Sequence, residues 1–226
     1  DYGPCAFLDA YHPGKVFSSI DHYRRYAYAN QPQIAVWNLA QLATALLPLM
    51  PDRDAAIDSF TQAVNGFADR FDAAWHKVLR AKLGLAEERE GDAALAFELL
   101  DLMAKGEADF TNTFRALSGD DPEAAAAGLS NPGVLTPWLA SWRARLAQEG
   151  RGEADRVAAM QAVNPALIPR NHRVEEAISA ALRDDLGPFE QLVDALSRPF
   201  DPAGLDLDLA APPAPGEQVT QTFCGT

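Results

Sequence analysis

Few residues in this 226-residue chain have the type and spacing to do chemistry. The first is Asp1, followed at once by Tyr2-Gly3. A loop carboxylate is a hard oxygen ligand, which Mg²⁺ prefers over nitrogen or sulfur. Asp9 and Asp21 add two further carboxylates, and a metal-dependent hydrolase built on the three is conceivable. Without supporting His or Glu they make a poor catalytic metal site. Cys5 and Cys224 stand at opposite ends of the chain, outside any C-x-x-C pair and beside no His cluster. A structural zinc site is therefore unsupported, and two cysteines in a chain of this size suit a reducing compartment. His12, His22, His76 and His172 are isolated from one another by spacing and read as surface or packing residues. No P-loop, H-E-x-x-H or G-x-S-x-G is present, and Gly150-Arg151-Gly152 lacks the third glycine of a dinucleotide fingerprint.

The elements that must position these groups are helical. Residues 1–30 are punctuated by Gly3-Pro4 and His12-Pro13-Gly14 and show no helical period. Pro32 suits a first helical turn. Ile34, Val36, Trp37, Leu39, Leu42, Leu46 and Leu47 then cover most of a helix circumference, leaving a polar stripe of Asn38, Gln41 and Thr44. A helix so apolar is expected to lie centrally buried. Ile57, Phe60, Val64, Phe67, Phe71, Trp75 and Val78 step by three and four. That spacing predicts one long amphipathic helix, capped by Asp52 and stopped by Gly84. Shorter stripes follow: Leu95, Leu99, Leu102 and Met103; Phe110 and Phe114; Leu135, Trp138, Leu139, Trp142 and Leu146; Val157, Met160 and Val163. Val174, Ile178 and Leu182 lead on to Phe189, Leu192, Val193 and Leu196. Runs of alternating β-branched residues are absent, so the fold class is mostly α with few or no strands. From Pro199 the chain turns proline-rich and is expected to run extended over the surface.

Composition narrows the partners. Apolar residues make up 48% of the chain, enough for a substantial core. A formal net charge of −13 repels phosphate backbones and anionic lipid, which argues against nucleic-acid and membrane-surface partners. The apolar run from Ile34 to Met50, broken by Asn38, Gln41, Thr44 and Pro48, is too short and too polar to insert in a bilayer. The chain opens on Asp1 without an initiator Met or a basic leader, and so reads as a piece of something longer.

Taken in order, several short motifs form a pattern. Asp1-Tyr2-Gly3-Pro4 runs through Phe7-Leu8-Asp9-Ala10-Tyr11 to Asp21-His22 and Arg25-Tyr26. Asn30-Gln31-Pro32 and Trp37-Asn38-Leu39-Ala40-Gln41-Leu42-Ala43 follow. Later come Arg80-Ala81-Lys82-Leu83-Gly84-Leu85, Asp109-Phe110-Thr111, Phe114-Arg115, Asn164-Pro165, Arg170-Asn171 and Arg198-Pro199-Phe200. The chain ends Cys224-Gly225-Thr226. This order resembles the selenoprotein O family of pseudokinases, over essentially the whole chain and about the C-terminal half of a family member.

The resemblance implies a kinase-like C-lobe with a family-specific helical region after it. Residues 1–30 would be the metal-binding loop and activation-like segment, 31–198 the helical body and 199–226 the tail. The whole protein is expected to move AMP from ATP onto Ser, Thr or Tyr hydroxyls of protein substrates, in a bacterial-type cytoplasm. Asp1 would ligate Mg²⁺ or Mn²⁺ and through it hold ATP. The proposed base lies upstream, so this stretch by itself carries no catalytic residue and is expected to be inactive. In many members the C-terminal Cys pairs with a Cys after the metal-binding Asp. Here Phe17 occupies that partner's place and Cys5 stands where Phe is common. A Cys5–Cys224 bridge, worth roughly 4–5 kcal/mol in the chain-entropy model, and two separate thiols both remain open. Arg24 and Ala29 replace residues that are commonly Gly in the family, which would stiffen the loop. Tyr11, Ser18 and Ser19 are loop residues that could accept modification. The alternative is a non-catalytic, all-helical interaction or regulatory module.

Overall fold

The computed structural model describes residues 7–201, 203–204 and 206–221. Among them are ten α-helices, four short 3-10 turns and no strand. A single antiparallel bridge joins Ala10 to Asp109. Residues 7–27 contain only turns and bends.

The core forms on the shorter stripes in the middle of the chain. Helix α4 (Asp92–Gly106), α5 (Phe110–Leu117) and α6 (Leu135–Leu146) bury Leu99, Met103, Phe114, Leu117, Leu135, Trp138 and Trp142. The two indoles of α6 stack at 5.9 Å. Each also donates its N–H out of the stack. Trp138 Nε1 reaches the Leu95 carbonyl at 2.8 Å, and Trp142 Nε1 reaches Leu83 O at 2.9 Å. A buried indole satisfied in this way contributes apolar area without leaving an orphaned donor. Beside them Arg145 is fully engaged: Nε to Asp92 at 2.6 Å, Nη1 to Glu149 at 2.6 Å and Nη2 to the Glu87 carbonyl at 2.8 Å. This ties the loop before α4 to the end of α6.

Two expectations are corrected. The stripe from Ile57 to Val78 is not one helix: α2 (Arg53–Asn65) and α3 (Phe67–Lys82) meet at Gly66. There Arg70 Nη2 caps α2 by donating to the Ala63 carbonyl at 2.6 Å. The aromatic face nevertheless continues across α3, with Phe67, Phe71 and Trp75 ring centroids about 6 Å apart. Asp52 is the N-cap expected, accepting from Ala55 N at 3.0 Å. Helix α1 (Gln31–Leu46) is not centrally buried either. It packs against α2 and α3, yet none of its residues is buried, and Trp37 stays 48% exposed. Its apolar circumference exceeds the neighbours that the described residues supply.

Helices α7 (Glu153–Gln161), α8 (Asn171–Ala181) and α9 (Gly187–Leu196) complete the body. α8 packs on α9; Ala177, Ala180 and Leu192 are buried, while Ile178, Leu182, Phe189 and Val193 of the sequence stripe are exposed. The tail adds one turn of helix, α10 (Leu207–Ala210), and is otherwise extended or turned.

Gly84 ends α3 as expected, and for a geometric reason. Its φ is +76°, and an added Cβ would lie 2.7 Å from Met160 Sδ and 2.9 Å from Arg156 Cγ. Gly84→Ala should therefore destabilise the fold by about 1–3 kcal/mol, from backbone strain and overpacking together. Thermal unfolding of the variant against the parent measures it.

Candidate functional site

The turn-rich segment 7–24 has no secondary structure to hold it, so its position is set by tertiary ties. Tyr11 N donates to Ala108 O and Phe110 N to Asp9 O, both at 2.8 Å. Beneath them lies the guanidinium of Arg170, only 1% exposed. Its Nη1 reaches Asp9 Oδ1 at 2.6 Å and Asp109 Oδ2 at 2.5 Å, and Nη2 donates to Ala210 O at 2.9 Å. Asp109 also caps α5 by accepting from Asn112 N at 2.8 Å.

Above this clamp a groove of about 820 Å³ opens between segment 7–24 and tail residues 213–220, with Glu107 and Asn171 at its sides. Lys15, Arg24, His12 and His22 line it together with Asp9 and Asp21. Both acids are committed: Asp9 pairs with Arg170, and Asp21 accepts the backbone N–H groups of Arg25 and Tyr26 at 2.8 Å each. No group of three His, Cys, Asp or Glu able to hold a metal occurs among the described residues. Asp9 and Asp21 thus already have protein partners, and Asp1, the third carboxylate of the hydrolase reading, lies outside the described residues. What the groove offers is a concave surface of mixed charge, suited to binding and orienting a polar chain segment.

Arg24 sits in this loop at φ +55°, a left-handed conformation that glycine adopts at no cost. Ala29 lies in a 3-10 turn, outside the positive-φ residues, so of the two substituted positions only Arg24 carries strain. Of the loop residues considered for modification, Tyr11 is buried, burial raising its phenol pKa, and the Ser18 hydroxyl is enclosed without a partner.

The family-like motifs converge behind the groove. Tyr11 packs edge-on to Tyr28 at 5.4 Å and on Phe110 at 5.8 Å, and Phe110 meets Phe114 at 5.0 Å. Burial, with Tyr11 adding to it, pushes the Tyr28 phenol far above its ordinary value. The Lys82 ammonium lies 5.2 Å from the Phe114 centroid and donates to Asn164 Oδ1 at 3.1 Å. Burial lowers its pKa, and the π faces and neutral oxygens are the partners it has in place of a carboxylate. The fully buried Asn164 returns Nδ2 bonds to Lys82 O and Ser118 Oγ, both at 2.9 Å. Arg115 joins the Asn164 and Phe200 carbonyls at 2.9 and 3.3 Å. Residues from six separate motifs therefore share one polar and aromatic network.

Sequence reasoning missed this convergence, although it had singled out the residues. Of the histidines read as surface or packing residues, His172 is a packing one, 4% exposed and with no partner for either ring nitrogen. Burial, then Arg173, holds His172 below its ordinary 6.5, against the opposite pull of Asp9, Glu176 and Glu217. The sequence candidates Asp1, Cys5 and Cys224 lie outside the described residues.

Residues 1–197 match the family model described as protein adenylyltransferase SelO. The chain is 66% identical over 226 residues to the protein nucleotidyltransferase YdiU of Jannaschia sp. (strain CCS1), which it matches along its whole length while covering 47% of that protein. To the YdiU of Alkalilimnicola ehrlichii it is 54% identical over 233 residues, again covering 47% of the relative. The chain thus spans about half the length of the curated relatives it matches. No described helix is long and apolar enough to cross a membrane.

Two outcomes test this geometry. Arg24→Gly should stabilise the fold by about 1 kcal/mol by relieving the left-handed backbone, seen as a higher unfolding midpoint. His172 binds its proton less readily folded than unfolded. Its contribution is therefore complete above the unfolded pKa of 6.5 and is lost as pH falls from there through the lower folded value. His172→Leu should flatten that acid-side loss and gain about 1 kcal/mol at neutral pH by removing two orphaned nitrogens. Unfolding midpoints across the acid range measure both effects.

Proposed function

Because this chain belongs to the SelO family of protein adenylyltransferases, we propose that it is the C-terminal part of a longer pseudokinase that transfers AMP from ATP to protein hydroxyls. The observation that carries the reading is the convergence of the matched motifs on one network directly behind a polar groove. In the proposed reaction a Ser, Thr or Tyr oxygen attacks the α-phosphorus, the bond to pyrophosphate breaks, and the hydroxyl proton passes to a base outside this stretch. Asp1 is the residue assigned to Mg²⁺ or Mn²⁺, whose role would be to neutralise phosphate charge. No three-donor cluster occurs among the described residues, and in this reading phosphate oxygens and the rest of the protein would complete the site. What these residues themselves contribute is orientation. Arg170 and the Ala10–Asp109 bridge anchor the segment that leads away from Asp1, and the groove presents cationic side chains beside it.

The uncovered face of α1 supports the same reading. Residues 31–50 carry no charged side chain, yet none is buried, in a chain half as long as its relatives. That face also favours the second reading, a non-catalytic interaction module.

Asp1→Ala in the full-length protein should abolish AMP transfer, measured as labelled AMP on acceptor protein; unchanged transfer would remove the role of Asp1. The chain without its remaining half should show neither transfer nor Mn²⁺–ATP binding, and both should appear in the longer form. A folded but inactive longer form would favour the interaction module.

A further inference from the structure

We propose that Arg170 is a positioning residue that couples the C-terminal tail to segment 7–24, so that the two walls of the groove are held as one unit. Its partners come from three remote parts of the chain. Asp9 lies 161 residues away, Asp109 lies 61 away, and the carbonyl of Ala210 lies 40 away. The groups are unequal in what else holds them. Asp109 is committed to capping α5 whether or not Arg170 is present. Asp9, whose carboxylate lines the groove, has Arg170 as its ion-pair partner.

On the other side, Ala210 O is the last tail acceptor bonded to the helical body before residues 213–220 form the groove wall; Asn112 Nδ2 assists at 3.4 Å. Beyond it the tail closes on itself, Glu217 and Ala214 exchanging hydrogen bonds at 2.8 and 2.9 Å. Both terminal nitrogens are shared with Asp109, Nη2 donating to its Oδ1 at 3.2 Å; beyond that pairing Nη1 serves the loop through Asp9 and Nη2 serves the tail through Ala210 O. Guanidinium is rigid and planar, so turning Nη1 away from Asp9 must move Nη2 relative to Ala210. Arg173 Nη2 on Asp208 O at 3.0 Å and Gln191 Nε2 on Asp206 Oδ2 at 3.2 Å hold the start of the tail, and by this geometry the charge of Asp9 adds to them through the guanidinium. Such coupling is reciprocal: loosening either wall loosens the other.

The bearing of this coupling on catalysis rests on the function proposed above, but its test does not. Hydrogen exchange is followed by mass spectrometry in full-length Asp9→Asn, with Asp9→Glu as the conservative variant. The expected result is faster exchange, on the order of tenfold for each 1.4 kcal/mol of lost protection, at amides 7–12 and also at 206–220. Peptides of α3 and α6 should be unchanged, and Asp9→Glu should restore much of the protection. Faster exchange at 7–12 alone, no change at either wall, or a uniform rise with a lowered Tm would each overturn the coupling. If the coupling holds while Asp1→Ala leaves AMP transfer intact, the function fails and Arg170 still positions the groove.

Discussion

A charge removed from water must be matched where it is buried, and in this protein that requirement organises everything around the groove. The Arg170 guanidinium lies in the interior with two carboxylates and a backbone carbonyl. An unpaired charge there would cost several kcal/mol, so Asp109 pairs both terminal nitrogens while Asp9 and the Ala210 carbonyl are drawn up to complete the cluster. The segment it gathers has no regular structure of its own to direct it. Removal of a lone partner would leave charge unmatched, which makes such a cluster a device for specifying one arrangement rather than a large source of net stability.

Lys82 poses a related problem with a different solution. Its ammonium is enclosed by Phe110, Phe114, Val163 O and Asn164, and burial depresses its pKa. Quadrupoles and carbonyl dipoles replace the hydration shell with partial charges in fixed positions. Since Asn164 also bonds to Lys82 O and to Ser118, and Arg115 bonds to Asn164 O, the loop between α7 and α8 is locked to α3 and α5 without any covalent link. The groove thus has a rigid back wall and two walls without helices, an arrangement suited to presenting a loop against a partner segment.

Helix α1 stands apart from this economy of satisfied groups. Trp37, Leu42 and Leu46 are exposed on a helix with no charge, in an otherwise strongly acidic chain. The guanidinium of Arg25, 4.1 Å from the Trp37 ring centroid, lies over part of that surface. An uncharged apolar face of this size is uncommon on a protein surface, and here it follows from neighbours that the described residues do not supply.

Local chemistry in the sequence was enough to place most helices. Asp52 and Gly84 marked true ends because a side-chain cap and a left-handed turn act within a few residues. The stripe of Trp138 and Trp142 likewise marked a helix, since helical spacing alone puts them on one face, but that this face is the core came from the tertiary structure. Periodicity could not see the break at Gly66, because the apolar stripe runs on across it and Arg70 supplies the cap from the next helix. Nor could it say that α1 would stay uncovered, because burial depends on what neighbours exist, not on a helix's own composition. The motifs carried the family, but the roles of Lys82, Asn164 and Arg170 were decided by tertiary structure alone. Their partners lie tens of residues away, at distances where local spacing holds no information and only the closing of the chain brings donor and acceptor together.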